Sequence, residues 1–334
     1  MPSASTGLRL DELLSGIPRL ALVGLAKNTG KTETLAAILA EHARAGRAVA
    51  VTSIGRDGER HDVIDDRIAK PPVRLRAGWL VATTGPLLRS SGLRHERLID
   101  THIRTPLGEV VIARVNAPGE VEVAGPSIAQ DVHDVSEAML SLGAQQVLID
   151  GAVDRRAASS PAIADGLVIA TGAVLGHEIE QVVAATAEAV EVVRLPQAQD
   201  TRDAVALERS VVLEAQPGEI AALLGRHPDA RSLLVRGALS EGFLQALVAA
   251  ARGKGQALRV IAEDHTRVFL SEHPPSFYAR QGVSIEVLAT TDLVALTVNP
   301  VAPQSHRLDS GTLRAALGAV AGEVPVIDVR EPQA

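Results

Sequence analysis

Leu20-Ala21-Leu22-Val23-Gly24-Leu25-Ala26-Lys27-Asn28-Thr29-Gly30-Lys31-Thr32-Glu33-Thr34 decides the fold class of this chain. The apolar run predicts a strand that enters a loop ending in Gly-Lys-Thr. A helix is predicted immediately after it, over Thr32–Ala45. This order is that of a phosphate-binding loop. Gly30 lets the backbone come close to a phosphate, and the helix start offers N–H groups and a positive dipole end. Lys31 reaches β- and γ-phosphates, and the Thr32 hydroxyl is a ligand for Mg²⁺. Gly24, Lys27, Asn28, Thr29 and Glu33 complete the expected nucleotide-binding set. ATP with Mg²⁺ is the expected ligand pair, with GTP left open. The competing reading, a Gly-Lys-Thr that only starts a helix, is disfavoured by the strand before it and the helix after it.

Outward from this loop, apolar strand-like runs alternate with helix-like ones. Strands are predicted at Leu20–Val23, Ala48–Ile54, Gly78–Thr83, Glu109–Val115, Gln146–Ile149 and Gly166–Ala170. Helices are predicted at Thr32–Ala45, Gln130–Leu142 and His177–Ala189. The alternation predicts an α/β fold of the P-loop NTPase type, a mostly parallel sheet with helices on both faces. A short antiparallel section is expected around Thr101–Val115. The stretch from Arg194 to Asp229 holds Pro196, Pro217 and Pro228 and reads as a linker carrying a helix or two. A smaller C-terminal α/β pattern follows, with strands at Ser232–Val235, Leu258–Ala262, Leu293–Val298 and Val326–Val329. Its helices are expected at Glu241–Ala251 and Thr312–Val320. The expected division is 1–194 for the nucleotide-binding domain, 195–230 for the linker and 231–334 for a partner-binding domain.

Val147-Leu148-Ile149-Asp150-Gly151-Ala152 is an apolar strand ending in an acid. Paired with the loop, Asp150 is expected to hold Mg²⁺ directly or through water, with Lys31 and Asp150 as the catalytic pair. Gly151 would admit close backbone approach to the γ-phosphate. An ordinary turn or helix cap is the alternative for Asp150. Asp57 or Glu59, in Thr52-Ser53-Ile54-Gly55-Arg56-Asp57-Gly58-Glu59, is a second metal candidate, because strand C-terminal ends surround the ligand in such sheets. A plain Asp-Gly surface turn explains the same residues. Thr171-Gly172 ends a further apolar strand, which reads as a core strand with a glycine turn or else as a lining for the nucleotide base or the acceptor site. Asp154, Arg155 and Arg156 read equally as phosphate contacts or a solvated loop. Asp264-His265-Thr266 and Asn299-Pro300 each follow a strand, where a ligand or a turn is expected. Asp131-Val132-His133-Asp134-Val135-Ser136 is similar to the Asp-x-His-x-x-Gly cobalt-ligating pattern. Ser136 replaces its glycine, and the segment reads better as a helix start capped by Asp131.

Composition narrows the classes. The chain of 334 residues suffices for two domains. It is 46% hydrophobic but 1% aromatic, so its core rests on Ala, Val, Leu and Ile, which suits buried parallel strands. A net charge of −7 and only five aromatic residues (one Trp, one Tyr, three Phe) argue against nucleic-acid binding. The absence of cysteine excludes disulfides, thiolate metal sites and cysteine nucleophiles. No apolar run approaches the roughly 20 residues a membrane helix needs. Met1–Gly16 shows no signal-peptide core, and a cytoplasmic location is expected.

The loop glycine at Gly24, one residue earlier than in the commoner spacing, resembles the loop of dethiobiotin synthetase and the cobyrinate amidating synthetases. A wider set of segments occurs in order: Gly24–Thr32, Thr52–Glu59, Lys70-Pro71-Pro72 with Gly78–Thr83, Ile149–Arg155, and Ala170–Ala173. This set resembles the P-loop subunit of the reactivating factor for adenosylcobalamin-dependent lysine 5,6-aminomutase, over much of the first ~180 residues. The resemblance implies an ATP hydrolase that releases damaged corrinoid from an aminomutase so that intact cofactor rebinds. It implies a MutS-like second reactivase subunit as partner; a homodimer stays open. The alternatives are an ATP-dependent ligase of the dethiobiotin synthetase type and a non-catalytic nucleotide-binding scaffold. The amidating synthetases run a cysteine-dependent glutaminase step, which this chain cannot.

Overall fold

The computed structural model describes residues 13–330 except 15, 56–70, 152–155, 208–216, 255–256 and 304–305. Asp57, Gly58, Glu59, Lys70, Asp154 and Arg155 therefore lie outside the described residues. In chain order the first elements are β1 (Arg19–Gly24), α1 (Lys31–Arg44), β2 (Val49–Ser53), β3 (Val73–Leu75), β4 (Leu80–Thr84) and α2 (Gly85–Ser90). Then come β5 (His95–Thr105), β6 (Gly108–Val115), β7 (Gly119–Val121), α3 (Ala129–Ser141), β8 (Gln146–Asp150), β9 (Gly166–Gly172) and α4 (Ile179–Val193). There follow β10 (Val205–Leu207), α5 (Pro217–Arg226), β11 (Ser232–Val235), β12 (Leu239–Ser240), α6 (Glu241–Lys254) and β13 (Leu258–Ala262). The last are β14 (Val268–Phe269), α7 (Pro275–Arg280), β15 (Val283–Val287), β16 (Asp292–Asn299), α8 (Ser310–Ala321) and β17 (Val326–Asp328).

The chain divides into two compact units, 1–183 with 292–334, and 184–291. This differs from the expected division. The segment from Asp292 onward joins the first unit, because β16 pairs with β9 and β17 pairs with β16. The expected linker is not a linker either: β10 and α5 belong to the second unit. Strand pairing between β9 and β16 spans more than a hundred residues of chain, and no local pattern encodes it.

Among the described residues of the first unit, nine strands form one sheet in the order β17-β16-β9-β1-β8-β2-β4-β6-β5. The strands from β17 to β4 run parallel, and β6 and β5 close one edge as an antiparallel pair. That hairpin is the expected antiparallel section, although its outer strand starts earlier, at His95. The apolar runs explain the parallel centre: every residue of β2, β4, β8 and β9 is buried, as a strand covered on both faces must be. Arg19 pins the lower end of β1 beside β9. Its backbone N–H, Nε and Nη2 donate to Asp165 at 3.0, 3.0 and 2.7 Å.

Helix α1 buries Thr34, Leu35, Ile38, Leu39 and His42, the i, i+3/i+4 spacing of one helical face. It stops after Ala45, where Gly46 turns left-handed at φ 66°. Helix α3 starts at Ala129, so Asp131 lies inside its first turn rather than capping it. Ser136 is buried on that helix and donates to Val132 O at 2.7 Å. No described helix is long and apolar enough to cross a membrane.

The second unit has its own parallel sheet, in the order β10-β11-β13-β15, around a core that includes Leu233, Phe243, Leu247, Val260 and Val283. A densely bonded polar group in it is Glu241, at the start of α6. The carboxylate accepts from the N–H groups of Ser271, Glu272 and His273 at 2.7, 2.8 and 3.0 Å, and from the Tyr278 hydroxyl. Burial alone would raise its pKa, but the Tyr278 and loop donors outweigh burial and bring it down to about 2. A carboxyl with a lowered folded pKa stabilises the fold above its unfolded value near 4.5, and that contribution disappears as pH falls towards 2. Glu241→Gln is expected to cost on the order of 2–3 kcal/mol at neutral pH and to flatten the acid limb between about pH 5 and 2. Urea unfolding at pH 7 and pH 3 checks this. The same saturation explains why Glu241, Glu272 and His273, which lie close enough to hold a cation, read as a loop clasp.

Candidate functional site

β1 ends between β8 and β9, and its end and the start of the loop are held from the two sides. Leu25 N donates to Ala170 O of β9 at 3.0 Å, and Gly151 N, just beyond β8, donates to Leu22 O at 2.9 Å. Within the loop, buried Thr29 donates its hydroxyl to Ala26 O at 3.0 Å. A Cβ on Gly24 would lie 2.6 Å from the Thr29 hydroxyl oxygen, so a glycine is needed there for the loop to fold over itself. Asn28 and Gly30 adopt left-handed φ values of 67° and 89°. Asn tolerates that region better than most side chains, and glycine enters it without penalty.

Gly30 is the N-cap of α1, and no side chain caps the helix. Its first N–H groups have no partner within the helix. This end of α1 therefore presents donors and a positive dipole end to the loop. Lys31 lies in the first turn and Thr32 beside it is exposed. Glu33 pairs with Arg330, just beyond β17, at 3.0 Å. Lys27 and Asn28 are exposed on the loop.

The decisive contact joins two distant motifs. The Lys31 ammonium donates to Asp150 Oδ1, and the Asp150 side chain is 8% exposed. Two neighbouring parallel strands, in the register Leu22↔Asp150, bring the end of the loop and the end of β8 together. Gly151 has a packing role, since a Cβ there would meet Ala158 Cβ at 2.7 Å and Leu22 O at 3.1 Å. The structure thus brings Gly24, Lys27, Asn28, Thr29, Gly30, Lys31, Thr32, Glu33, Asp150 and Gly151 to one end of the sheet. Asp57 lies outside the described residues.

Next to this end, the C-terminal tips of β2 and β4 are covered by the chain after β7. Ser53 and Thr83 hydroxyls donate to Val123 O and Glu122 O at 3.2 and 2.9 Å, and accept from Gly125 N and Ala124 N at 3.0 Å each. Gly55 N continues the seal to Pro126 O at 2.6 Å. Val121, Val123, Ala124, Gly125 and Pro126 are buried.

One residue stands nearer the loop than the sequence reading placed it. Asn299, expected at a ligand position or in a turn of a separate domain, ends β16 and donates from Nδ2 to Asn28 O at 3.2 Å. Only the pairing of β16 with β9 puts it there. Asp264 accepts from Thr266 N at 2.8 Å, which makes Asp264-His265-Thr266 a capped turn. His133, on α3, lies 3.6 Å from Asp134.

Comparison with protein-family models, with curated proteins and with solved structures returns no match.

Proposed function

We propose that this protein binds Mg²⁺·ATP at the Gly24–Thr32 loop and hydrolyses it as a switch acting on a protein partner. The observation that carries this reading is the Lys31–Asp150 pair at the carboxyl ends of adjacent parallel strands. Ligands of open α/β sheets bind at such strand ends. The donor set fits the ligand chemistry: a helix N-terminus and an ammonium for phosphate oxygens, a hydroxyl and a carboxylate for a hard cation. Thr32 and Asp150 would hold the Mg²⁺, which neutralises charge on the β- and γ-phosphates when bound. Lys31 exchanges its Asp150 contact for phosphate oxygen, and that exchange frees the carboxylate for the metal or its water.

A dethiobiotin synthetase-type ligase is the second reading, and it would show itself by phosphorylating a small carboxylic acid. By its resemblance, the partner is an adenosylcobalamin-dependent aminomutase of the lysine 5,6-aminomutase type, with a MutS-like second subunit. The nucleotide-bound form would then favour the cofactor-releasing state of the mutase. Biasing such an equilibrium takes several kcal/mol of differential affinity. The test uses a mutase inactivated by turnover and mixed with this protein, the second subunit, Mg²⁺, ATP and fresh adenosylcobalamin. Recovery should require ATP. Equal recovery without ATP, or phosphorylation of a small carboxylic acid, would reject the reading.

A further inference from the structure

Strand β16 reaches the loop and the helix that follows it through two polar contacts. The first is Asn299, 6% exposed, whose Nδ2 donates to Asn28 O at 3.2 Å while Oδ1 accepts from Val301 N at 3.1 Å. The side-chain amide is therefore oriented by its own strand exit, with the donor end aimed at the loop. The second is a buried hydroxyl pair, Thr34 of α1 and Thr297 of β16, 2.7 Å apart. Thr34 also lies 3.0 Å from Gly30 O, where only Thr34 can be the donor. A hydroxyl has one proton, so Thr297 supplies the hydrogen of the threonine pair.

Packing reinforces these bonds. A Cβ on Gly30 would lie 2.9 Å from Asn299 Cβ, and one on Gly172 would lie 2.1 Å from Asn299 O. Asn299 is therefore wedged between the loop glycine and the end of β9, its register partner in the sheet. Asn28 itself is held at a φ of 67°, a conformation that costs a non-glycine residue energy and persists where neighbours fix it. Its carbonyl is the group Asn299 grips.

We infer that Asn299, with Thr297 behind it, is a positioning residue for the phosphate loop: it fixes the Asn28 peptide and so sets the direction of the loop N–H groups before nucleotide arrives. This rests on the nucleotide-binding reading. It adds that preorganisation comes from a strand that follows the second unit in sequence. The chain passes into the second unit within α4 and returns directly into β16.

The experiment compares wild type with Asn299→Asp, Asn299→Ala and Thr297→Val. Asn299→Asp keeps an acceptor for Val301 N but sets a carboxylate oxygen against Asn28 O. Two readouts are taken on the full chain: hydrogen exchange of residues 24–30 without nucleotide, and Mg²⁺·ATP affinity by calorimetry. Melting temperature controls for folding. The expected result is faster exchange of the loop and roughly tenfold weaker affinity in Asn299→Ala, with a larger loss in Asn299→Asp. Thr297→Val, which keeps the side-chain shape, should show a smaller shift in the same direction. Wild-type exchange and affinity in both Asn299 variants would overturn the inference. Faster exchange matched by an equal acceleration throughout the sheet would also overturn it, since that is general destabilisation. If the wild type binds no Mg²⁺·ATP, the nucleotide reading falls, and the ligand-free exchange still decides whether Asn299 braces the loop.

Discussion

Lys31→Ala is expected to weaken Mg²⁺·ATP binding by about 2–4 kcal/mol, a loss of some thirtyfold to nearly a thousandfold. The ammonium is the formal positive charge in the first turn of α1, and it projects to Asp150 at the strand ends. Its removal takes away the cation proposed to contact the β- and γ-phosphates. It also deprives a nearly buried carboxylate of a cation, so part of any loss could come from lower stability. Lys31→Arg separates the two effects. It keeps a cation beside Asp150 but cannot place a compact ammonium in the same space. Calorimetry with Mg²⁺·ATP, beside a thermal melt of each variant, reads both. Unchanged affinity in a folded Lys31→Ala protein would remove the loop from the function.

Asp150→Asn tests the other half of the pair and should separate binding from turnover. The substitution preserves shape but removes the charge proposed to hold Mg²⁺ or its water. ATP hydrolysis is expected to fall by roughly 10–100-fold, the range seen when a partner of metal-bound groups is lost. ADP affinity should stay close to that of the wild type, because Lys31 and the helix N-terminus remain. Phosphate release and ADP calorimetry on the same preparation give the comparison. Full hydrolysis in this variant would move the metal role to the Asp57–Glu59 segment. No hydrolysis by the wild type at all would favour a nucleotide-binding scaffold.

The two halves of the site were legible to different degrees. Gly24–Thr32 is a local pattern: left-handed positions, a helix start and a strand before it are all set by neighbouring residues. Asp150 was legible as the acid after Val147–Ile149, because a fully buried strand leaves a continuous apolar run. Asn299 was not. Asn-Pro after a strand predicts a turn anywhere in a protein, and its meaning depends on which strand lies alongside. Gly151 shows the converse. Its expected role was close approach to phosphate, whereas the packing of Ala158 and Leu22 already requires a residue without a side chain.

The sequence by itself determined the mixed α/β class, the parallel centre of the main sheet and the strand–loop–helix that carries Lys31. These follow from periodicity, turn chemistry and helix-start geometry, which act over a few residues. Tertiary structure alone decided that Asp292–Asp328 returns to the first sheet, that 184–291 forms an inserted unit, and that Asn299 bonds to the loop and Thr297 to the helix after it. Parallel strands pair only through long crossovers, so strand order is fixed by side-chain fit between segments far apart in sequence. An apolar run such as Leu293–Val298 is compatible with either sheet. Its burial against β9 and the close fit of Asn299 against Gly172 and Gly30 select one.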